Sequence, residues 1–283
     1  MSLRGVASET LRILGEGTYV APSGRVVSFA PAIEAAIRGT VLVRPHDAAS
    51  LARTAQGGAR AIEVTEETTA QAARRLVARE GESHVVALNF ASAKNPGGGF
   101  LGGAKAQEED LARASALYVC VRTQRAYYDL HRMSASLLYT DHVIHSPSVP
   151  FFRDDRNELL EEPFLVSILT AAAPNAGEVL RRDASAGPAI RAALHSRARV
   201  LLDVAAHFGH RVLVLGAWGC GVFRNDPREV AEAFASALGE ERFNGMFERV
   251  VFAVWDRSPA QVNLAAFRER FGAAPKAQTE PRL

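Results

Sequence analysis

Between His84 and Glu109 the chain runs from an apolar strand into a loop with five glycines and then into two adjacent carboxylates. The segment reads Asn89-Phe-Ala-Ser-Ala-Lys-Asn-Pro-Gly-Gly-Gly-Phe-Leu-Gly-Gly-Ala-Lys-Ala-Gln-Glu-Glu109. Glycine tolerates positive φ and lets a ligand come close, so such a loop can wrap phosphates with its own N–H groups. A helix opening on Gln107-Glu108-Glu109 would then set acid chemistry beside a bound phosphate ester. Each part alone is a weak signal. Strand, glycine loop and acidic helix start in this order require an α/β frame that can hold all three.

The rest of the chain supplies that frame. Apolar runs predict strands at 61–64, 85–90, 142–146, 165–171, 212–217 and 250–255, with helices between them at 67–79, 108–125, 188–208, 227–238 and 259–271. The helix from Pro188 carries Ile190, Leu194, Leu201, Val204 and Phe208 on one stripe, and Leu111, Ala114, Tyr118 and Val121 do the same for 108–125. Strand and helix alternating in this way predict a layered α/β domain with helices on both faces of the sheet. Residues 1–45 form an accessory segment: a short helix around Val6 to Leu14, a hairpin turning at Pro22-Ser-Gly24, and a helix from Pro31 to Arg38. Residues 46–272 form the main domain, and 273–283, with two prolines and few apolar groups, a disordered tail. Phe151 to Pro163 interrupts the alternation as a hairpin or surface loop, with Arg153-Asp-Asp-Arg156 as a solvated turn.

Composition removes several function classes. A net charge of +2 over 283 residues builds no field for nucleic acid, so an anionic partner must be held by a local site. The two cysteines, Cys120 and Cys220, support neither a disulfide framework nor a zinc site. Eight histidines are scattered without His-Glu-x-x-His spacing, so no metal or other cofactor is expected. Apolar runs of strand length and an N-terminus without an apolar leader predict a cytoplasmic protein with no membrane partner.

A second strand runs into glycines at Leu213-Val-Leu-Gly-Ala-Trp-Gly-Cys-Gly-Val-Phe223, and Asn225 or Asp226 can cap the helix that Pro227 opens. Gly216, Gly219 and Gly221 are spaced G-x-x-G-x-G, which is not the dinucleotide fingerprint. Alone, this loop is better read as a turn with close strand–helix packing. Ligands of α/β sheets lie beyond the carboxyl ends of strands, and both loops leave strands at that end. A pyrophosphate gripped between them accounts for both.

Asn89, Asn95-Pro-Gly-Gly-Gly99 and Gln107-Glu-Glu109, followed by Gly216-Ala-Trp-Gly-Cys-Gly-Val-Phe223, resemble the bacterial-type poly(ADP-ribose) glycohydrolases. These are macrodomain proteins marked by a Gly-Gly-Gly loop closely followed by Gln-Glu-Glu, and the resemblance covers roughly residues 5–272. It implies a mixed central sheet flanked by helices on both faces, with ADP-ribose lying across the carboxyl ends of the strands. It implies that Gly97, Gly98 and Gly99 belong to the catalytic loop beside the terminal ribose and diphosphate, with Asn89 and Asn95 framing the ribose site and Gln107 also binding substrate. Gly219, Cys220 and Gly221 would give backbone N–H groups to the diphosphate, Phe223 would pack on the ribose-phosphate, and Val222 would be a further substrate-binding residue. Thr65 and Glu66, in the acidic stretch Thr65-Glu66-Glu67, would lie near adenine.

Hydrolysis of a ribose–ribose bond needs a proton for a poor leaving alcohol while an oxocarbenium ion develops. One carboxyl can give that proton and later take one from water. The resemblance assigns this to Glu109, with Glu108 on the ribose hydroxyls. Neighbouring helical residues point about 100° apart, which favours two separate roles over a shared proton. Acidic residues at a helix start are also favoured by the dipole, which stabilises the carboxylate, so burial or the ligand must raise the pKa of Glu109. Cys120 is read as helix packing, Trp218 and Trp255 as core, and Cys220 as a loop residue without a nucleophilic role. The expected activity is release of ADP-ribose from poly(ADP-ribose), chiefly at chain ends, by a monomer whose partners are the polymer and the proteins that carry it. Rival readings are an ADP-ribose reader of the same fold and a hydrolase of mono-ADP-ribosylated protein. A nicotinamide oxidoreductase fails on glycine spacing.

Overall fold

The computed structural model describes residues 2–50, 57–58 and 60–272, so the tail expected from Ala273 lies outside the described residues. The chain begins with α1 (Leu3–Glu16), the hairpin strands β1 (Thr18–Val20) and β2 (Val26–Ser28), α2 (Ala30–Gly39), β3 (Val41–Val43) and α3 (Pro45–Ser50). Next come β4 (Ala61–Thr65), α4 (Thr69–Arg74), β5 (Val85–Phe90), α5 (Gln107–Ala114), α6 (Leu117–Val121) and α7 (Arg125–Met133). β6 (Val143–Arg153), β7 (Leu159–Ala171), α8 (Ala176–Arg182), α9 (Gly187–His207), β8 (Val212–Leu215), α10 (Pro227–Leu238), β9 (Arg249–Ala253) and α11 (Val262–Phe271) complete it.

Seven strands form one mixed sheet in the order β3-β6-β7-β5-β8-β9-β4. β7, β5, β8, β9 and β4 run parallel, whereas β6 pairs antiparallel with β7 and β3 with β6. The parallel strands are buried on both faces. In β5, Val85 and Ala87 enter one core with Ile13, Ile33, Leu76 and Leu117, while Val86 and Leu88 enter the other with Leu194, Leu201, Phe234 and Phe267. Side chains that alternate between two apolar layers are the reason these runs read as continuously hydrophobic.

The departures from the sequence reading have local causes. The single helix expected over 108–125 is broken at Ser115, whose extended backbone (φ −145°, ψ 179°) bridges Phe151 of β6. The Ala116 N–H donates to Pro150 O and the Ser115 hydroxyl to Leu111 O, so tertiary pairing outcompetes the helical bond. β6 and β7 run on through most of the segment expected to be loop, leaving only Asp154–Glu158 as the turn. Arg153 is correspondingly not solvated: it is buried, and its guanidinium donates to Glu9 Oε2 at 2.6 Å and to Asn157 O at 2.8 Å. α4 is followed by a π-helical turn at Arg75–Arg79. β3, α3, α7 and α8 are too short or too polar for periodicity to reveal them.

Candidate active site

The glycine loop after β5 is held shut by its own polar atoms. Ser92 Oγ accepts from the N–H groups of Lys94 and Asn95, and the Gly98 N–H donates to Asn95 O at 2.9 Å. The Gln107 side chain then fastens α5 to the strand. The Phe90 N–H donates to Gln107 Oε1 at 2.8 Å, and Gln107 Nε2 donates to Leu88 O at 2.8 Å and Thr69 Oγ1 at 3.0 Å. Gln107 thus imitates one rung of a neighbouring strand, and its amide is engaged with protein on every side.

That anchor drives both glutamates inward. Glu108 Oε2 accepts the Ser92 N–H at 2.6 Å, and Oε1 accepts the Asn89 Nδ2 donor at 3.3 Å. Asn89 is fully buried and also donates to Thr170 Oγ1. Glu109 Oε1 accepts the Gly99 N–H at 2.8 Å, while its buried Oε2 has no hydrogen-bond partner among the described residues. Gly98 stands between the two carboxyls. A Cβ at Gly98 would lie 2.3 Å from Glu109 Oε1 and 3.0 Å from Glu108 Oε2, and its φ of +59° excludes most L side chains. The two side chains leave the helix in different directions, yet both carboxyls return to one point. They are therefore electrostatically coupled, which helical geometry alone did not suggest.

Neither glutamate forms an ion pair among the described residues. Burial pushes the Glu108 carboxyl up to about 8, and the neighbouring Glu109 charge adds to this; the Ser92 and Asn89 donors pull the other way. Glu108 consequently holds a proton near neutrality.

The second loop lies beside the first, because β8 is the immediate neighbour of β5. A Cβ on Gly216 would come within 2.5 Å of Ala253 O and 3.1 Å of the Phe90 ring. Gly219 (φ +75°) is walled in, with a Cβ there 2.4 Å from Ala173 Cβ and 2.6 Å from Asn225 Nδ2. Asn225 is buried and donates to Pro174 O and Gly219 O, whereas Asp226 caps α10 by accepting the Arg228 N–H. Gly221 faces open space, with nothing within 4 Å of a Cβ. Trp218 is core as expected, 1% exposed and donating to Ala171 O. Val222 is 82% exposed, and Phe223 packs against Tyr139 with ring centroids 6.0 Å apart. Burial pushes the Cys220 thiol upward, away from thiolate chemistry.

β9 and then β4 follow β8 in the sheet. Thr65 ends β4, its carbonyl accepting the Val254 N–H, and the exposed Glu66 pairs with Arg268 at 2.6 Å. Trp255, read from sequence as core, is 54% exposed just past the end of β9, with the Arg257 guanidinium over its ring. Strands are spaced about 4.8 Å apart, so the carboxyl ends from β5 to β9 form a row roughly 10 Å long. Asn89, Gly97, Gly98, Gly99, Gln107, Glu108 and Glu109 gather at its β5 end, and Gly219 to Phe223 come next. Thr65 and Glu66 stand at the far edge. Asn95 is exposed on the loop tip, placed there by its backbone bonds. Ser92, Thr170 and Thr69 also hold the site together, but they left no sequence signal because they act through backbone and hydroxyl contacts that no residue pattern marks. Among the described residues no group of three or more His, Cys, Asp or Glu is arranged to hold a metal. No described helix is long and apolar enough to cross a membrane.

A mostly parallel sheet flanked by helices, with ligand-accessible glycine loops at its carboxyl edge, defines a macrodomain-like fold. The family model for the microbial-type poly(ADP-ribose) glycohydrolase catalytic domain matches residues 7–154. The poly(ADP-ribose) glycohydrolase of Thermomonospora curvata superposes with a TM-score of 0.90 at 51% identity, over 95% of this chain and 99% of that one. The same enzyme bound to the inhibitor ADP-HPD gives 0.88. The Deinococcus radiodurans poly(ADP-ribose) glycohydrolase in complex with ADP-ribose gives 0.79 at 50% identity, over 85% of this chain and 97% of that one. No curated protein matches the chain. The chain belongs to the microbial-type poly(ADP-ribose) glycohydrolases.

Proposed function

We propose that this protein hydrolyses the ribose–ribose O-glycosidic bonds of poly(ADP-ribose), chiefly from chain ends, as a monomer acting on polymer carried by modified proteins. The observation that carries the mechanism is the convergence on Gly98 of two buried carboxyls that have no ion-pair partner among the described residues, beside a second loop whose Gly221 faces open space. Burying carboxyls without a cationic partner is costly, and an ADP-ribose reader gains nothing from it. A hydrolase does.

In this reading the terminal ribose sits over Gly97, Gly98 and Gly99, with the diphosphate on the N–H groups of Gly219, Cys220 and Gly221. Phe223 packs on the ribose-phosphate, and adenine lies toward Thr65 and Glu66. Glu109, protonated once the anionic diphosphate is bound beside it, gives that proton to the departing alcohol oxygen as the glycosidic C–O bond breaks and the ribosyl carbon gains oxocarbenium character. Water then adds to that carbon and returns a proton to Glu109, giving ADP-ribose and a polymer one unit shorter. Glu108, neutral near pH 7, donates to a ribose hydroxyl and stays anchored by Ser92 and Asn89, which aligns the anomeric carbon with Glu109. Asn89 and Gln107 keep strand and helix in register, and Asn95 borders the ribose from the loop tip.

Purified protein and its Glu109→Gln variant should be incubated with labelled polymer and with mono-ADP-ribosylated protein. The expected result is ADP-ribose release from polymer by the wild type and none by the variant, which still binds ADP-ribose within a few fold. Turnover by Glu109→Gln close to wild type would remove Glu109 as the acid. Short oligomers among the early products would overturn cleavage from chain ends, and efficient attack on the mono-modified protein would favour the broader hydrolase.

A further inference from the structure

The chain contains 33 lysines and arginines, yet only three are lysines: Lys94, Lys105 and Lys276. Two of these three flank Gly97, Gly98 and Gly99. Arginine does the pairing elsewhere, as at Arg75, Arg153, Arg197 and Arg249, each bound to a carboxylate. Neither Lys94 nor Lys105 forms an ion pair among the described residues, and Lys105 is exposed. The Lys94 N–H lies against Ser92 Oγ, in the residue whose own N–H holds Glu108. Lys105 lies two residues before Gln107, where the loop passes the start of α1 and a Cβ at Gly103 would meet the Arg4 backbone nitrogen at 3.0 Å.

The row of strand ends gives these charges a direction. If one ADP-ribose unit extends from the glutamates past β8 toward β9 and β4, the alcohol released at Glu109 leaves on the β5 side, over the loop that bears both lysines. We propose that Lys94 and Lys105 form a leaving-side subsite for the pyrophosphate of the next unit of the polymer. The subsite rests on the hydrolase reading above and adds to it a preference for polymer over a single unit. Lysine suits this place better than arginine. Its ammonium is a mobile, hydrated point charge that can follow a departing phosphate, whereas a guanidinium would clamp a neighbouring carboxylate through two bonds and hold it ionised.

The test uses the full chain with Lys94→Gln and Lys105→Gln combined, and a second protein with both lysines replaced by Arg. KM and kcat are measured on long polymer across a salt series, and affinity for free ADP-ribose by calorimetry. For the Gln pair the expected result is a roughly tenfold higher KM on polymer at low salt, a gap that narrows as salt rises, and ADP-ribose affinity within twofold of wild type. At roughly 0.7 per single-strand phosphate contact, the log–log salt dependence should become shallower by about 1.4. The Arg pair, keeping the charge, should recover most of the loss in KM. Unchanged KM and salt slope with normal ADP-ribose affinity would overturn the subsite and leave the hydrolase reading standing. An equal loss of affinity for free ADP-ribose would also overturn it, by placing the charges on the bound unit instead. Failure of the wild type to cleave polymer would remove the reading on which the subsite rests.

Discussion

Two glycines in one loop, Gly219 and Gly221, should respond to substitution in opposite ways. Alanine at Gly219 meets a φ of +75°, which costs an L residue about 1–2 kcal/mol. Its methyl would sit 2.4 Å from Ala173 Cβ and 2.6 Å from Asn225 Nδ2. Relief requires Asn225 to move off Pro174 O or Gly219 O, and a neutral hydrogen bond contributes about 1 kcal/mol. With overpacking against Ala173, Gly219→Ala should lose roughly 3–5 kcal/mol. For a chain of this size, with an unfolding entropy of about 2.1 cal/mol/K per residue, that lowers the melting temperature by roughly 5–8 °C. A Cβ at Gly221 meets nothing within 4 Å and the residue has no positive φ, so Gly221→Val should melt within about 0.5 kcal/mol of wild type. Its side chain would project into the space where the diphosphate approaches the N–H groups. ADP-ribose affinity should then fall at least tenfold, a loss of about 1.4 kcal/mol or more. Thermal melts and calorimetric titration with ADP-ribose on both variants separate the outcomes. Wild-type affinity in Gly221→Val would take this loop out of the binding site, and a wild-type melt for Gly219→Ala would refute the packing argument.

Glu108 makes a pH prediction whose sign follows from its raised pKa. The folded state keeps a proton that the unfolded chain releases near 4.5, so this contribution to stability is complete below about 4.5 and is lost as pH rises to about 8. At 1.36 kcal/mol per unit the loss is at most about 5 kcal/mol. Buried neutral His145 and His210, depressed to about 3 and about 4, act with the opposite sign as pH falls. Denaturant midpoints should therefore be compared between wild type and Glu108→Gln, where the histidines cancel; parallel curves from about pH 5 to about pH 8.5 would contradict the assignment. Trp255 supplies an optical probe: in Trp218→Phe it is the sole tryptophan, and ADP-ribose should change its emission with the same Kd as calorimetry gives. Emission unchanged at saturation would mean that the ligand does not reach the end of β9.

The sequence by itself determined the two chemical anchors and the layered fold. Strand, glycine loop and Gln107-Glu108-Glu109 are contiguous, and contiguous residues need no tertiary information to be placed together. Buried parallel strands announce themselves in the same way, since both faces of β5 and β8 are apolar. Tertiary structure decided the rest, because it depended on contacts between residues far apart in the chain. Ser115 ends α5 only because β6 offers its backbone a partner. Arg153 is buried only because α1 brings Glu9 to it. Trp255 is exposed although it ends an apolar run, because the chain leaves the sheet at that residue. The raised pKa of Glu108 arises because packing takes water away from a carboxyl that the sequence shows only as one of two neighbours, and this outweighs the Ser92 and Asn89 donors that favour the carboxylate. Local pattern encodes which groups are available; packing sets their burial and their distance from one another, and those two quantities govern acidity.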